Sequence, residues 1–292
     1  MEYVIENQFL RVTVIRKGAQ IKSVVRKSDG VEHMWNGNPD VWGYHSPVMF
    51  PYTGKVTDNR LEIRGRMVEN VPQHGFHRTM DHEFVEQTED SVTLSISSNE
   101  TTFNIFPYNF RFFTTIRLEG ETVCHTLTVE NMDQEPFTFG IGYHPAYMIP
   151  FDADHTAEDY EFRFSHIESP ICLDTPTGLL NGKYYSLGTN ITSIPVSEGM
   201  FDKSSHCMVN LRSHTLGIYE KGSNRAVVCN IEGFPYCLIW SKPGMPPFLC
   251  IEPWHSVPSY ENGSLDWEEK AATTRLSPGE SWSTSMRTSF VR

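Results

Sequence analysis

Residues 110–131 read FRFFTTIRLEGETVCHTLTVEN. Aromatic and β-branched residues recur at every second position on both sides of the LEGE break, the period of an extended strand with one face on a core. The same alternation runs through FLRVTVIR (9–16), DSVTLSISS (90–98) and AVVCNIEGFPYCLIWSK (226–242). The breaks carry turn chemistry: NMDQEP closes the strand that LEGE opens, EKGSNR (220–225) separates two more, and KPGMPP (242–247) stops another. Helical periodicity is scarce. The best candidate is SLDWEEKAA (264–272), with Ser264 as its cap and acidic residues in its first turn. The pattern predicts an all-β chain, a large antiparallel β-sandwich with very little helix.

The chain has 292 residues, 39% of them hydrophobic and 12% aromatic, enough apolar material for one sizeable core. No internal repeat, low-complexity tract or flexible linker interrupts it. The nearest to a boundary is the polar region 152–206, which still holds strand-like EFRFSHI (161–167). Residues 1–292 are therefore expected to form a single domain.

The formal charge of −12 argues against nucleic acid, whose affinity rests on Lys and Arg set against phosphates, and against anionic membranes. A small neutral ligand, or an anionic one held by a few local cations, remains open. No apolar run approaches the length of a membrane span, and MEYVIENQFL has neither a basic n-region nor a long apolar h-region. A cytoplasmic location is expected. The six cysteines form no C-x-x-C pair and several sit inside apolar runs, which predicts buried, reduced thiols. NET, NIT and NGS match the glycosylation pattern and are read as chance.

Three segments carry possible chemistry. In FPYTGKVTDNRLEIRGRMVENVPQHGFHR (50–78), Arg60 and Arg78 flank His74, and Gly75 lets the backbone turn sharply. An arginine offers a planar fork of donors for hydroxyls or phosphate, where lysine offers a point charge. The bland alternative is a polar loop whose bases pair with Glu62, Glu69 or Asp81. In FTFGIGYHPAY (137–147), an apolar strand with two glycines ends at His144, which can be aimed into a cleft or satisfied in a core. In PPFLCIEPWHS (246–256), Glu252 interrupts an apolar run beside Trp254. Burial beside an aromatic raises a carboxyl pKa toward the range of a general base, and a structural salt bridge is the competing account.

Taken in order, FPYTGK, HGFHR, GYHPAY and IEPWHS make the chain resemble the aldose 1-epimerase (galactose mutarotase-like) family. The likeness is strongest to its shorter bacterial LacX-type branch, and extends to the hexose-6-phosphate 1-epimerases. The resemblance implies a β-sandwich superfold with its site on a concave sheet face and no obligatory metal. It implies Glu252 as the base that takes the anomeric hydroxyl proton and His144 as the acid that protonates the ring oxygen. His74 would hold and polarise the sugar, Arg60 would contact hydroxyls, and Arg78 hydroxyls or a phosphate. Trp254, Trp240, Phe76 and Tyr143 are candidate faces for the sugar ring, with most of them expected to serve the core. His77, in the variable place of the motif, is expected on the solvent side. The family's sugar-gripping aspartate has no clear counterpart: FDKSSHCMVN (201–210) places His206 or its neighbours there, with Asp202 upstream.

Mutarotation needs one proton removed and one supplied, so a carboxylate and an imidazole suffice and no cofactor is required. The expected partner is a small sugar, with the chain a monomer or homodimer. The rivals are a hexose 6-phosphate gripped by Arg60, Arg78 or Lys55, a carbohydrate binder without turnover, and a metal site of His74, His144 and Glu252. Ligands 70 and 108 residues apart give a metal no motif support. A glycoside hydrolase would need a second carboxylate across the scissile bond, and only Glu252 stands out.

Overall fold

The FRFFTTIRLEGETVCHTLTVEN stretch forms two antiparallel strands, Phe110–Glu119 and Thr122–Asn131, joined through Gly120 at φ +61°. Phe110, Phe112, Thr114, Ile116 and Leu118 are buried on one face, opposite Asn131, Val129, Leu127, His125 and Val123. A period of 2 makes a one-residue slip impossible without exposing that whole row, so the alternation also fixes the register. The computed structural model describes all 292 residues.

This pair lies inside an antiparallel nine-stranded sheet that runs from Ile191–Pro195 at one edge to Glu83–Gln87 at the other. Facing it is an eight-stranded sheet whose centre is Tyr236–Trp240 beside Phe248–Trp254. Helix is confined to the single turn Glu100–Phe103, capped by Asn99, and four 3-10 turns. The expected all-β sandwich is what forms. The predicted helix at SLDWEEKAA is only the 3-10 turn Trp267–Glu269, capped by the Asp266 carboxylate rather than by Ser264. Trp267 is pulled into the core, where its indole N–H donates to the Thr138 carbonyl, and that anchor leaves no room for further turns.

The polar region 152–206 is woven into both sheets: Tyr160–Glu168 pairs with Thr215–Glu220, and Ile171–Leu173 with His206–Val209. AVVCNIEGFPYCLIWSK, uniform in its alternation, changes sheets in its middle. Ala226–Asn230 belongs to the nine-stranded sheet and Tyr236–Trp240 to the eight-stranded one. All six cysteines are buried free thiols. No helix is long and apolar enough to cross a membrane.

Strand Phe248–Trp254 is buried on both faces. Leu249 and Ile251 join the inter-sheet core with Leu216, Ile218 and Val227. Phe248, Cys250, Glu252 and Trp254 therefore point the other way, onto the outer face of the eight-stranded sheet.

Six histidines are buried: His33, His74, His77, His82, His125 and His144. Burial lowers the pKa of each, to about 3 for His33, His125 and His144 and to about 4 for His82. The unfolded chain takes up protons on these rings below about pH 6.5, while the folded chain resists to lower pH, until near 4 for His82 and near 3 for His33, His125 and His144. Stability conferred by the neutral rings is thus full above pH 6.5 and is lost as pH falls. Urea denaturation between pH 7 and 5 should show unfolding free energy dropping by up to about 1.4 kcal/mol per pH unit for each proton taken up.

Candidate active site

Gly142 pairs with Trp254 and Ala146 with Cys250 along one antiparallel ladder. Paired residue numbers in such a ladder keep a constant sum, so residue 144 stands opposite residue 252 with its side chain on the same face. The chain breaks from regular pairing there. Pro145 has no N–H to donate, and the His144 and Ala146 amides turn to the Pro47 and His45 carbonyls, at 3.0 and 2.9 Å. His144 Nε2 comes to lie 3.4 Å from Glu252 Oε2.

Both side chains are buried, Glu252 to 1% exposure and His144 to 7%. Burial pushes the Glu252 carboxyl well above its usual range and His144 down to about 3, the nearby Arg78 adding to the latter. Each ionised form is disfavoured singly, so the pair holds one proton between them over a wide pH range. Glu252 Oε2 and His144 Nδ1 have no hydrogen-bond partner.

His74 enters from the HGFHR loop. His74 itself sits at φ +68° and Gly75 at +69°; a Cβ on Gly75 would lie 2.1 Å from the Phe50 carbonyl oxygen. The close approach lets the Phe76 amide donate to that oxygen, at 3.0 Å, and the Gly54 amide donate to His74 Nδ1, at 3.0 Å. An Nδ1 that accepts carries no proton, so neutral His74 bears its hydrogen on Nε2 as a donor. Its ring meets that of His144 edge-on, with centroids 5.7 Å apart.

These groups line a groove of about 400 Å³, within the range of roughly 300–1,000 Å³ common for small-molecule sites. Trp254 is pinned by its indole N–H to the Tyr143 carbonyl. Trp42 stacks on His144 at 5.0 Å, and Trp240 meets it edge-on at 5.4 Å. Arg78 lies over the Tyr44 ring at 4.7 Å and donates to the Gln73 carbonyl. Neither Arg78 nor Lys242, which also lines the groove, takes part in an ion pair with a carboxylate.

The family described as Aldose 1-epimerase matches residues 1–289. This chain belongs to the aldose 1-epimerase family. It is 28% identical over 283 residues to the plasmid-encoded protein LacX of Lactococcus lactis subsp. lactis, covering 94% of each chain. Among solved structures, a galactose mutarotase related enzyme from Lactobacillus acidophilus superposes with a TM-score of 0.94 at 27% identity, covering 99% of this chain and 97% of that one. A galactose mutarotase-like protein from Lactobacillus casei gives 0.91 at 25% identity, with both chains covered fully.

Of the side chains singled out in the sequence, His74, Arg78, His144, Trp240, Glu252 and Trp254 meet in the groove of this aldose 1-epimerase family member. Arg60 does not. It ends the 3-10 turn Thr57–Asn59, and its guanidinium pairs with Asp58 at 3.4 Å, outside the groove. His77, expected in solvent, is fully buried against His82 and Phe112, because the 3-10 turn His77–Thr79 rotates it inward from His74. Phe76 and Tyr143 belong to the core. Lys55 spends its ammonium on the Thr177 carbonyl. His206 is tied to the Tyr185 hydroxyl and the Met200 carbonyl, and Asp202 accepts from the Gly244 amide. Ser204 and Ser205, just upstream of His206, are the residues of that segment that reach the groove. The sequence reading missed Trp42, Tyr44, Gln73 and Lys242. Only Lys242 had a signal, as the next alternate position after Tyr236, Leu238 and Trp240.

Gly75→Ala should lose at least about 2 kcal/mol, since the new Cβ meets both the left-handed backbone and the Phe50 carbonyl. Thermal denaturation reads this directly. Glu252→Gln should do the opposite. Above about pH 4.5 the unfolded chain releases a Glu252 proton that the folded chain retains, so burying this carboxyl costs stability as pH rises. At pH 7 the glutamine variant should melt no lower than wild type, with its relative advantage shrinking as the pH is lowered to 4.5.

Proposed function

We propose that the protein interconverts the α and β anomers of an aldose by general acid/base ring opening and reclosure, with Glu252 as base and His144 as acid. The supporting observation is their 3.4 Å apposition across one rung of the ladder at the floor of a polar and aromatic groove. The anomeric hydroxyl and the ring oxygen share one carbon, so a single pair of adjacent groups can serve both. Opening moves a proton from the anomeric oxygen to Glu252 while His144 gives its own to the ring oxygen. The free aldehyde then faces a neutral carboxyl and a neutral imidazole, the forms that burial favours. Rotation about the bond between the first two carbons and reversal of both transfers close the ring on the other face. Desolvation thus stabilises the opened state relative to the ionised pair that starts the step.

His74, fixed as an Nε2–H donor, would hold a sugar oxygen beside His144. Trp254 would carry an apolar ring face, and Arg78 would donate to hydroxyls. Arg60 has no part in this reading. We read residues 1–292 as one catalytic domain, since the groove draws on segments from Trp42 to Trp254.

A second reading has an observation of its own. Arg78 and Lys242 give the groove two cations without carboxylate partners in a chain of net charge −12, which suits a sugar phosphate. Both readings keep the same acid and base.

Anomer exchange followed by NMR or polarimetry should accelerate for glucose, galactose or glucose 6-phosphate. Glu252→Gln and His144→Asn should each lower the rate by about 10²–10⁴. Lack of acceleration for every sugar tried, or full activity in either variant, would overturn the epimerase assignment. A preference for the phosphorylated sugar that Arg78→Gln removes would favour the second reading. Because burial keeps the His144 ring from titrating until about pH 3, kcat/KM should show no rise through 6.5 as the pH falls from 7 to 5. An unburied histidine acid would instead gain activity as pH fell through 6.5.

A further inference from the structure

Beneath the acid and base stands a third side chain with ligand chemistry, Cys250, which the proposed reaction does not use. It lies two residues before Glu252 on the same strand and the same face, and it is fully buried. Its Sγ, a ring nitrogen of His144 and a carboxylate oxygen of Glu252 lie within 4.8 Å of one another. Some point in a triangle of that size is within about 2.8 Å of all three atoms, and zinc bonds to nitrogen, carboxylate oxygen and sulfur run about 2.0–2.3 Å. Small side-chain shifts therefore close the three onto one ion. The 3.4 Å between His144 Nε2 and Glu252 Oε2 is already close to the ~3.3 Å that separates two ligands of one tetrahedral zinc.

The donor set selects the metal. Thiolate, imidazole and carboxylate together suit Zn²⁺, whereas Mg²⁺ and Ca²⁺ take oxygen ligands. Glu252 Oε2 receives no hydrogen bond, so a cation there displaces no donor. His144 and Glu252 also line the groove, which gives the ion its way in and leaves the fourth position of a tetrahedral shell to water. The other cluster of His and carboxylates in the chain lacks these features. Asp152, His155 and Glu220 include no thiol, and both carboxylates already accept from Arg225.

We propose that Cys250, His144 and Glu252 form a zinc site whose occupation switches off the acid and base. Zn²⁺ takes the thiolate, the carboxylate and the imidazole lone pair, the thiol and carboxyl protons leave to solvent, and no electron is transferred. One Zn²⁺ with two anionic ligands and one neutral ligand carries no net charge, the form that a dry site tolerates. Neutrality matters doubly here, because Arg78 and Lys242 line the same groove and oppose an uncompensated divalent charge. An occupied pair can neither take nor give a proton. The loss of turnover rests on the epimerase reading, and the binding of zinc does not.

The test starts with Co²⁺, which reports its ligands by absorption. Chelator-treated wild-type protein titrated with Co²⁺ at pH 7 should develop a thiolate-to-cobalt charge-transfer band that saturates at one ion per chain and is displaced by Zn²⁺. Cys250→Ser should abolish the band and weaken Zn²⁺ binding at least about tenfold, the cost of losing even an outer-shell partner. Glu252→Gln, which keeps all six thiols and is expected to stay folded, should weaken Zn²⁺ binding comparably. In the wild type, Zn²⁺ should slow anomer exchange in proportion to occupancy and EDTA should restore it, while Cys250→Ser should keep its exchange at the same zinc concentration. A wild type with no exchange to inhibit would overturn the epimerase reading alone, since the band is read without sugar. No band at excess Co²⁺, a band that Cys250→Ser retains, or undiminished Zn²⁺ affinity in Glu252→Gln would overturn the zinc site.

Discussion

A carboxyl and an imidazole held face to face in a dry cross-strand position constrain everything around them. Burying either group alone is costly, and burying both without partners is tolerable only where the backbone leaves them no choice. That compulsion comes from the ladder. Gly142 and Ala146 are locked to Trp254 and Cys250, and the residues between them are carried along. Phe248–Trp254 is in turn held in place by Tyr236–Trp240 on its other edge and by Leu249 and Ile251 in the inter-sheet core. The stability of the apolar face is what keeps the unfavourable polar face in position.

The second support is the lacing of the HGFHR loop onto residues 50–54. Gly75 is required where backbone meets backbone, and the contact it permits positions His74 and sets its tautomer through the Gly54 amide. Arg78 follows within the same turn and lies over Tyr44, and both line the groove. A strongly acidic chain thus presents a groove whose charged lining, apart from the raised Glu252 carboxyl, is cationic. Net charge describes how the molecule behaves toward large partners, whereas the local field is set by the few side chains that a fold gathers.

Much of the site was legible because its members sit at places where the chain breaks its own pattern. Glu252 interrupts an apolar run, His144 follows glycines and precedes a proline, and His74 adjoins Gly75. Arg60 misled because it is near these motifs in sequence but ends a 3-10 turn that directs it to Asp58. His77 misled because three residues along a turning backbone reverse which way a side chain faces. Trp42 and Tyr44 gave no sign, since they come from an irregular segment whose aromatic residues have no period to read.

Alternation by itself determined the class of fold, the strands and the absence of long helices, because the side-chain period is a property of the extended backbone. It also determined which residues were out of place in an apolar setting. It could not determine that AVVCNIEGFPYCLIWSK changes sheets at its middle, nor that residue 144 would face residue 252. Those are properties of pairing between distant strands, set when register, sheet order and core packing are satisfied together. A local pattern carries no information about its partner, so the apposition of His144 and Glu252 exists only in the folded sheet.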